Sequence, residues 1–283
     1  MKTLDHLLAE ARPRLAATPF GAPTREAALL LGRVLGLSEA QILAHGEREV
    51  PDEAAERFLH LLERRLTGEP TAYLFGEREF YGRPFQVDPR VLIPRPETEH
   101  LVEAALDTLK TPLPERPWIL DVGTGSGILA VTLALEIPSS RVVATDLSPG
   151  ALAVASGNAR RLGVRDRVCF LGADLAGGLD LARFDLVVSN PPYIDRGDAP
   201  ALSPEVYNFE PHVALFGPGT GDSLYARMFL ETDGLRPGVR LLVEIGQGQL
   251  DAIHRHAGEA GLQVSDVRLD YAGIPRIVTL ERR

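Results

Sequence analysis

The second half of the chain alternates between short apolar runs and longer segments with one apolar face. Short, nearly all-apolar runs predict buried strands, and apolar residues at helical spacing predict helices. This alternation is typical of a mostly parallel, doubly wound sheet. The predicted strands are 118–122, 141–145, 168–172, 184–189, 239–245, 263–270 and 275–281, and the predicted helices are 127–136, 149–162, 222–233 and 248–260.

The last two predicted strands are joined by a very short connection, Tyr271 to Ile274. A parallel connection needs roughly a dozen residues, so we expect these strands to pair antiparallel, as a hairpin. The predicted fold class is therefore α/β, with a Rossmann-like sheet of seven strands whose last strand is antiparallel.

The start of the chain has the pattern of several short helices. We expect Thr24 to cap a helix that ends at Gly36, and Asp52 to cap another. Between them, Ser38 and Gln41 have the spacing of a capping box, in which each side chain binds a backbone amide of the other residue. No polar cluster of catalytic type occurs in this stretch, so we interpret it as a helical recognition or packing domain.

Two short strands around a turn are predicted at 79–87, between the helical stretch and the sheet. Pro94 and Pro96 keep the next segment extended, and Pro96 is expected to begin a helix that runs from Glu97 to Leu109. We therefore predict three parts, which are a helical domain at 1–75, a β-hairpin linker at 76–96 and an α/β domain at 97–283.

Composition narrows the class of protein. Hydrophobic residues make up 45% and charged residues 24%, as in ordinary globular proteins. The net charge of −9 opposes binding along a nucleic-acid backbone. No apolar stretch is long enough to span a bilayer, and the first residues lack the apolar core of a signal peptide, so we expect a cytoplasmic protein. The single cysteine, Cys169, lies in an apolar run and is expected to be a buried core residue.

A glycine-rich turn follows the first predicted strand of the sheet and leads into a helix. Glycines allow a tight turn and a close approach of the backbone to a ligand at the carboxyl edge of the sheet. Dinucleotide-binding proteins use such turns too, so the turn alone is weak evidence. Asp121, just before the turn, can face the ammonium group of an amino-acid cofactor, which a dinucleotide lacks. The residues of the turn are Gly123, Thr124, Gly125, Ser126 and Gly127.

Carboxylates also follow the next two predicted strands. Asp146 ends the second strand, where it can accept both ribose hydroxyls of an adenosine ligand. The alternative role for Asp146 is capping of the next helix, which Ser148 could do instead. Asp174 and Leu175 follow the third strand, where the carboxylate can bind the exocyclic amine of adenine and the leucine can cover the ring. A solvated strand-end aspartate is the alternative for Asp174.

The segment after the fourth strand carries the most specific signal, Asn190, Pro191, Pro192 and Tyr193. Two successive prolines have no backbone N–H, so the segment offers carbonyl groups only. The Asn190 side-chain oxygen and the Pro191 carbonyl can then accept both protons of one NH₂ group. This grip aims a poorly nucleophilic amide nitrogen at a methyl donor, and catalysis is then positioning and electrostatic stabilisation. Tyr193 can stack on a planar substrate group. The alternative is a structural Asn-Pro turn.

These motifs together make the chain resemble the HemK/PrmC family of protein-(glutamine-N5) methyltransferases, and the resemblance extends essentially from end to end. Asn-Pro-Pro-Tyr by itself is shared with adenine-N6 DNA and guanine-N2 RNA methyltransferases. The specific part is its combination with the helical start and the Ile-Pro-Arg-Pro-Glu-Thr segment. The matching motifs are Arg64 to Pro70, Gly76 to Phe80, Leu92 to Glu99, Asp121 to Gly127, Asn190 to Ile194 and Phe209 to Leu215.

The resemblance implies a class I methyltransferase fold and an enzyme that uses S-adenosyl-L-methionine, with S-adenosyl-L-homocysteine as the product. It implies methylation of the glutamine in the Gly-Gly-Gln motif of class I peptide-chain release factors, with a helical domain that helps to recognise them. Cofactor contacts carry over onto Gly123–Gly127, Asp146, Asp174–Leu175 and Asn190, and substrate contacts onto Asn190–Tyr193. The alternative function is DNA or RNA amino methylation, against which the acidic charge argues.

Other polar residues carry weaker signals. The family often has an aromatic residue at the position of Leu175. A more usual Asp-Gly-Leu is replaced in this chain by the segment Gly219 to Leu224, which contains Asp222, and the sequence does not give the role of Asp222. His254 and His256 are expected on a surface helix, and we predict no metal site. The acidic pairs are expected to be solvated or capping rather than catalytic, and they are Glu97 with Glu99 and Glu244 with Asp251.

Overall fold

A computed structural model describes residues 2–109 and 114–282. The remaining positions (1, 110–113 and 283), which the predicted domains include, lie outside the described residues. None of the helices in the described part is long and apolar enough to cross a membrane.

The secondary structure consists of helices and strands in the following order. The helices are α1 (Leu4–Ala16), α2 (Pro23–Leu35), α3 (Glu39–Ala44), α4 (Asp52–Leu66), α5 (Thr71–Phe75), α6 (Glu99–Thr108), α7 (Ile128–Glu136), α8 (Pro149–Arg161), α9 (Pro204–Phe209), α10 (His212–Leu215), α11 (Ser223–Leu230) and α12 (Leu250–Glu259). The strands are β1 (Lys2–Thr3), β2 (Glu49–Val50), β3 (Glu77–Phe80), β4 (Arg83–Gln86), β5 (Trp118–Val122), β6 (Arg141–Asp146), β7 (Val168–Gly172), β8 (Leu186–Ser189), β9 (Arg240–Glu244), β10 (Leu262–Leu269) and β11 (Pro275–Arg282).

The chain divides into two compact units. The helical unit comprises the described residues of Met1–Gly76 together with Ser203–Phe209, and the sheet unit comprises Glu77–Leu202 and the described residues of Glu210–Arg283. The hairpin that was expected as a linker therefore belongs to the sheet unit, and a segment from the second half of the chain belongs to the helical unit. The functional division at 1–75, 76–96 and 97–283 stays a prediction.

The helical unit has its own apolar core and one buried cation. Leucine, alanine and phenylalanine side chains of α1, α2 and α4 form the core. Arg65 is 3% exposed, donates to Glu26 over 2.9 Å and pairs with Glu205 of α9. Its guanidinium also lies over the ring of Phe20, with 4.6 Å to the centroid. A buried charge needs such partners, so this cluster attaches α9 to the helices of the unit.

Two of the predicted caps are confirmed and two are wrong. Ser38 and Gln41 form the capping box, and α2 ends at a left-handed Gly36. Thr24 and Asp52 do not cap; each lies inside its helix, because a proline takes the boundary. Pro23 is the first residue of α2, and Pro51 precedes α4. A proline suits a helix start because the missing N–H has no partner there.

The predicted hairpin is confirmed as β3 and β4, which pair antiparallel. Tyr81 and Gly82 form the two-residue turn with φ of 51° and 69°, as the right-handed twist of a hairpin favours. The Tyr81 amide donates to Glu99 Oε1 over 2.8 Å. The helix expected from Glu97 is shorter, because residues from Pro96 onward first make a 3₁₀ turn and α6 begins at Glu99.

The seven-stranded sheet has the order β10-β11-β9-β8-β5-β6-β7. Strands β5 to β9 are parallel, and β11 is antiparallel to both β9 and β10, as predicted. The chain moves from β5 to β6 and β7 on one side, then crosses to β8 on the other. Ligands of open α/β sheets bind in the crevice at such a reversal, which lies here at the carboxyl ends of β5 and β8.

Cys169 lies on β7, which is one of the two edge strands of this sheet, and it is exposed. The prediction of a buried cysteine was therefore wrong. Successive side chains of a strand point to opposite faces of the sheet. At the edge strand β7, only one face is covered by other elements, so every second side chain is exposed to solvent.

Apolar side chains of the central strands alternate between two cores. Ile119 packs with α6, α7 and α8, and its neighbour Leu120 packs with α11 and α12. Gly127 is the N-cap residue just before α7, with a φ of 84°, and a Cβ at this position would lie 3.0 Å from the Ala155 Cβ of α8. The glycine thus allows α7 and α8 to approach closely just beside the crevice.

Gly127→Ala is expected to destabilise the sheet unit by about 2–4 kcal/mol, from left-handed strain plus overpacking against Ala155. Gly163→Ala is the matched control, since Gly163 has a similar φ of 75° but no atom within 4 Å of the Cβ position. Chemical denaturation of both variants separates the two costs. Equal losses of stability would show that the contact with α8 adds nothing.

Candidate active site

A cavity of about 490 Å³ lies at the carboxyl ends of the central strands of the sheet unit. Its wall is formed by the glycine turn after β5, by the end of β6, by the residues after β7 and by the Asn-Pro-Pro segment after β8. Residues of the Ile-Pro-Arg-Pro-Glu-Thr segment and of α10 and α11 complete the wall. The lining residues used below are Thr98, Gly123, Thr124, Gly125, Ser126, Asp146, Asp174, Leu175, Asn190, Pro191 and Pro192.

The glycine turn presents its backbone to this cavity. The amides of Gly123 and Thr124 both donate to the Thr145 carbonyl oxygen, over 2.9 and 2.8 Å, so the turn is fixed to β6. Gly123 and Gly125 have φ of 75° and 55°, and a Cβ at either would meet no atom within 4 Å. A left-handed backbone and open space in front of it form a surface that a ligand can approach closely.

Asp121 lies beneath the turn and is completely buried. Its Oδ2 accepts from the Thr124 hydroxyl over 2.6 Å and from the Ala130 amide over 3.1 Å. Its Oδ1 has no hydrogen-bond partner among the described residues. Burial, with the nearby charge of Asp146, raises the pKa of Asp121 to about 7, although its two donors oppose the shift. Asp121 does not line the cavity, so a contact between this oxygen and a cationic group of a ligand stays a prediction.

This burial predicts how the stability of the ligand-free protein depends on pH. Unfolding returns the pKa of Asp121 from about 7 to its ordinary 3.8, so the carboxyl destabilises the fold increasingly as the pH rises between these values. The free energy of unfolding of Asp121→Asn, relative to that of the parent, should therefore increase by about 2–3 kcal/mol from about pH 5 to about pH 8. Urea unfolding of both proteins at the two pH values measures the change. A constant difference would contradict the raised pKa.

Asp146 connects the end of β6 to the glycine turn. Its Oδ2 accepts from the Gly125 amide and its Oδ1 from the Ser148 amide, both over 2.8 Å. Ser148 caps α8 through a bond from the Ala151 amide, so the alternative of Asp146 as the cap of this helix is wrong. Each carboxylate oxygen keeps a lone pair, and the residue lines the cavity.

Asp174 and Leu175 lie at another part of the cavity wall. The Asp174 carboxylate is 57% exposed and pairs with Arg227 Nη2 over 2.8 Å. Leu175 has a φ of 53°, which is rare for a leucine and costs free energy that the surrounding structure must offset. Backbone strain of this kind often accompanies ligand-binding loops. Here the strained residue, Leu175, is one of those that line the cavity.

Asn190 lies in the cavity wall next to a residue that the sequence alone did not single out, Thr98. The Asn190 Nδ2 donates to the Thr98 Oγ1 over 3.0 Å, and Thr98 is fully buried. Because the NH₂ of the amide is used in this bond, its Oδ1 remains available as an acceptor. Thr98 belongs to the Ile-Pro-Arg-Pro-Glu-Thr segment, so the motif itself was the signal for it.

Tyr193 is turned away from the lining of the cavity. Its phenol donates to Glu244 Oε1 over 3.4 Å, and its ring lies close to Gly246, where a Cβ would be 3.0 Å from the ring. Gln249 Nε2 donates to the Tyr193 carbonyl over 2.8 Å. The ring is partly exposed. Stacking of Tyr193 on a substrate group stays a prediction, and the contacts described here hold the segment in place.

Glu244 is 1% exposed, so the prediction that it is solvated or capping was wrong. Burial raises the pKa of Glu244 to about 7, although the neighbouring Thr98 hydroxyl and the Tyr193 phenol oppose the shift. Its predicted partner, Asp251, lies exposed on α12. Glu99 accepts from the Tyr81 amide and is thus structural.

A second buried carboxyl group, Glu210, holds the extended segment at the cavity. Glu210 is 4% exposed, accepts from Arg95 Nη2 over 2.6 Å and accepts from the Ile93 amide over 3.1 Å. This pair joins two of the motifs recognised in the sequence, which lie more than a hundred positions apart. Sequence spacing gives no sign of such a contact.

Asp222, whose role the sequence left open, connects α11 to α12. Its carboxylate bonds the Thr220 hydroxyl over 2.6 Å and His256 Nε2 over 2.9 Å, and it pairs with Arg255. The hydrogen bonds from Thr220 and His256 lower the pKa of Asp222. Within residues 2–109 and 114–282, no group of three or more His, Cys, Asp or Glu residues could hold a metal ion.

Comparisons with known proteins match both parts of the chain to sequence families. Residues 6–76 match the PrmC N-terminal domain family, and residues 100–203 match the Methyltransferase small domain family. A release factor glutamine methyltransferase of Koribacter versatilis is 40% identical over 98% of this chain and 97% of its own length. Another, from Bordetella pertussis, is 46% identical over 93% of this chain and 96% of its own length.

Solved structures show the same fold at low identity. The ribosomal protein L11 methylase of Lactobacillus delbrueckii subsp. bulgaricus superposes with a TM-score of 0.52 and 20% identity, covering 73% of this chain and 90% of the other. The hMettl16 catalytic domain superposes with a TM-score of 0.58 and 15% identity, covering 82% of each chain. The sheet unit is therefore a class I methyltransferase fold. On the sequence matches over nearly its whole length, the chain belongs to the release factor glutamine methyltransferase family.

Proposed function

We propose that this enzyme transfers a methyl group from S-adenosyl-L-methionine to the side-chain amide nitrogen (N5) of the glutamine in the Gly-Gly-Gln motif of class I release factors. The observation that carries the proposal is the amide of Asn190, which gives its NH₂ to Thr98 and keeps its oxygen as an acceptor in the cavity wall. The Pro191 carbonyl, beside an N–H-free pair of prolines, is the second acceptor.

An adenosine-linked amino acid is the ligand that we propose for the cavity, which has a volume of about 490 Å³. In this proposal the ammonium group lies on the side of the glycine turn that covers the buried Asp121, whose Oδ1 has no partner among the described residues. The backbone of Gly123 to Gly127 follows the amino-acid part, and Asp146 accepts from the ribose hydroxyls. Asp174 and Leu175 would border the adenine. When bound, the cofactor supplies an electrophilic methyl group on its sulfonium sulfur.

The residues of the chain then act by binding and orientation. Two acceptors, Asn190 Oδ1 and the Pro191 carbonyl, take the two amide protons of the substrate and so fix the rotation of its NH₂ group. An amide lone pair is delocalised into the carbonyl, so alignment and the electrostatic pull of these acceptors on the protons make the nitrogen reactive. When the nitrogen gains the methyl group, one of its two protons would be released to solvent, and the neutral thioether S-adenosyl-L-homocysteine would be the leaving group. Pro192 adds no N–H to the segment, and the bonds of Tyr193 to Glu244 and Gln249 hold the segment in place.

The helical unit would contribute to recognition of the release factor, and Ser203–Phe209 would take part as a member of that unit. We propose the cytoplasm as the compartment, because release factors act in translation termination. Direct binding of nucleic acid is not part of the proposal, since the chain carries a net charge of −9.

The proposal is tested by incubating the enzyme with isotope-labelled S-adenosyl-L-methionine and a purified release factor, followed by peptide mass spectrometry. We expect one added methyl group on the Gly-Gly-Gln glutamine and none on a release factor with Gly-Gly-Glu. Parallel reactions with DNA and RNA test the alternative of nucleic-acid amino methylation. Label in nucleic acid but not in the release factor would reverse the assignment.

A further inference from the structure

The Asn-Pro-Pro-Tyr segment is short of hydrogen-bond donors, so the fold has few ways to hold it. Pro191 and Pro192 have no backbone N–H, and only carbonyl groups remain along the middle of the segment. At its first end, the Asn190 side-chain amide donates to Thr98 over 3.0 Å. The direction of the Pro191 carbonyl, which is the second acceptor in the proposed function, therefore depends also on how the far end is fixed.

The far end is held at the peptide group between Tyr193 and Ile194. Its carbonyl oxygen accepts from Gln249 Nε2 over 2.8 Å, and its N–H donates to the Leu215 carbonyl oxygen over 3.1 Å. Gln249 lies just before α12 and Leu215 ends α10, so two separate elements grip this one peptide group. A peptide group that is bonded through both its oxygen and its N–H cannot rotate without losing a hydrogen bond.

The carboxamide of Gln249 is held in a single orientation. Its Oε1 accepts from the Gly246 amide over 2.9 Å and faces the Tyr225 hydroxyl at 3.5 Å, while its Nε2 faces the Tyr193 carbonyl. A backbone N–H can only donate and a backbone carbonyl can only accept, so a reversed carboxamide would lose both main-chain bonds. The donor to Tyr193 is thus fixed by groups that do not titrate.

Glycine backbones pack closely around the same peptide group. A Cβ at Gly221 would lie 2.5 Å from the Tyr193 carbonyl oxygen and 2.9 Å from the Asp195 amide nitrogen. A Cβ at Gly246 would lie 2.9 Å from Gln249 Oε1 and 3.0 Å from the Tyr193 ring. Neither glycine has a left-handed backbone, so space rather than backbone strain excludes a side chain here. The far end of the segment therefore has little room to move.

We propose that Gln249 is a positioning residue, which fixes the far end of the segment and with it the direction of the Pro191 carbonyl. Gln249 does not line the cavity, so it touches neither the substrate nor the cofactor in this role. The inference rests on the proposed function, because it explains how the second acceptor for the substrate amide keeps its direction although its own segment has no N–H to offer.

Removal of the carboxamide tests the role. Gln249→Met nearly keeps the shape of the side chain and removes both bonds, and kcat is expected to fall about 10- to 100-fold, as for a misplaced group at an active site. The Kd of S-adenosyl-L-methionine, measured by calorimetry, should stay within about threefold, since the described bonds of Gln249 do not reach Asp146 or the glycine turn. Gly258→Ala is the control on the same helix, because a Cβ there meets no atom within 4 Å and kcat should not change.

Gln249→Glu provides a rescue that packing alone cannot produce. An ionised carboxylate still accepts from Gly246 but repels the Tyr193 carbonyl, whereas a protonated carboxyl group can donate to that carbonyl again. The ratio of kcat in Gln249→Glu to kcat in Gln249→Met should therefore rise at least about threefold as the pH falls from about 8 to about 5.5. Taking the ratio cancels the titration of the surrounding groups, which include the phenols of Tyr193 and Tyr225 and the carboxyl groups of Asp195 and Glu244.

A readout that needs no turnover follows the bond itself. Tyr193-Ile194 is the only Tyr-Ile pair in the sequence, so ¹³C-carbonyl tyrosine with ¹⁵N isoleucine gives one amide–carbonyl signal in the NMR spectrum of the whole enzyme. Its carbonyl resonance should move upfield in Gln249→Met, because the oxygen loses its hydrogen-bond donor. In Gln249→Glu the resonance should return toward its parent position as the pH falls.

Failure of the role and failure of the proposed function give different results. A parent enzyme that leaves the release factor unmethylated would refute the proposed function, and the role with it. A parent that is active while Gln249→Met has an unchanged kcat would overturn the positioning role alone. The role would also be overturned by a carbonyl resonance that does not move, or by a kcat ratio that does not depend on pH.

Discussion

Asn190→Ala is expected to lower kcat by at least about 100-fold, because it removes one of the two acceptors that orient the substrate amide. The alanine leaves the Thr98 hydroxyl without its donor but leaves the glycine turn and Asp146 in place. Affinity for S-adenosyl-L-methionine should therefore change by less than about fivefold. Single-turnover methylation of the release factor, beside calorimetry of cofactor binding, measures the two effects separately.

Asn190→Asp is the informative companion variant. An aspartate keeps an acceptor toward the substrate but cannot donate to Thr98, so its activity should lie between those of the parent and the alanine variant. A methylation rate of Asn190→Ala equal to that of the parent would rule out the two-acceptor mechanism. A parallel loss of cofactor binding would instead indicate that Asn190 acts mainly on the cofactor.

Asp146→Ala is expected to weaken binding of S-adenosyl-L-methionine by about 10- to 150-fold, which corresponds to about 1.5–3 kcal/mol for lost charge-assisted hydrogen bonds. Two contributions add here. The carboxylate is the proposed acceptor for the ribose, and it also holds the Gly125 amide in the turn that lines the cavity. Calorimetric titration with the cofactor measures the loss.

Asp166→Ala is the matched control for this measurement. Asp166 is an exposed aspartate of the same unit, in the 3₁₀ turn before β7, and it does not line the cavity. Its replacement should leave the affinity unchanged. Undiminished binding in Asp146→Ala would remove Asp146 from the cofactor site, whatever its effect on stability.

Much of the sheet unit could be predicted because its signals are local. Apolar runs in the strands, the short connection before β11 and the glycine turn each depend on neighbouring residues only. The predictions of Thr24 and Asp52 as helix caps were wrong for an equally local reason, because Pro23 and Pro51 determine where these helices begin. The prediction that Cys169 is buried was wrong because hydrophobicity alone does not distinguish an edge strand from a central strand.

The supporting contacts of the site could not be predicted in this way. In the sequence, Glu244 and Glu210 do not differ from the many other acidic residues. The burial of Glu244 follows from the pairing of β8 with β9, and that of Glu210 from its contacts with Ile93 and Arg95. Such contacts join residues from 51 to 117 positions apart. The residues that face a ligand follow strand ends and can be read from the sequence, whereas those that hold them depend on the register and on packing.

The membership of Ser203–Phe209 in the helical unit limits how this enzyme can be divided. A shortened chain that starts at Glu77 would keep α9 but lose Arg65, which neutralises Glu205, and Gly68, which lies against Phe209. A polypeptide cut once at the apparent boundary is thus expected to yield a damaged methyltransferase half rather than an autonomous one. Any attempt to express the halves separately, or to exchange the front half between relatives, has to transplant this short internal helix as well.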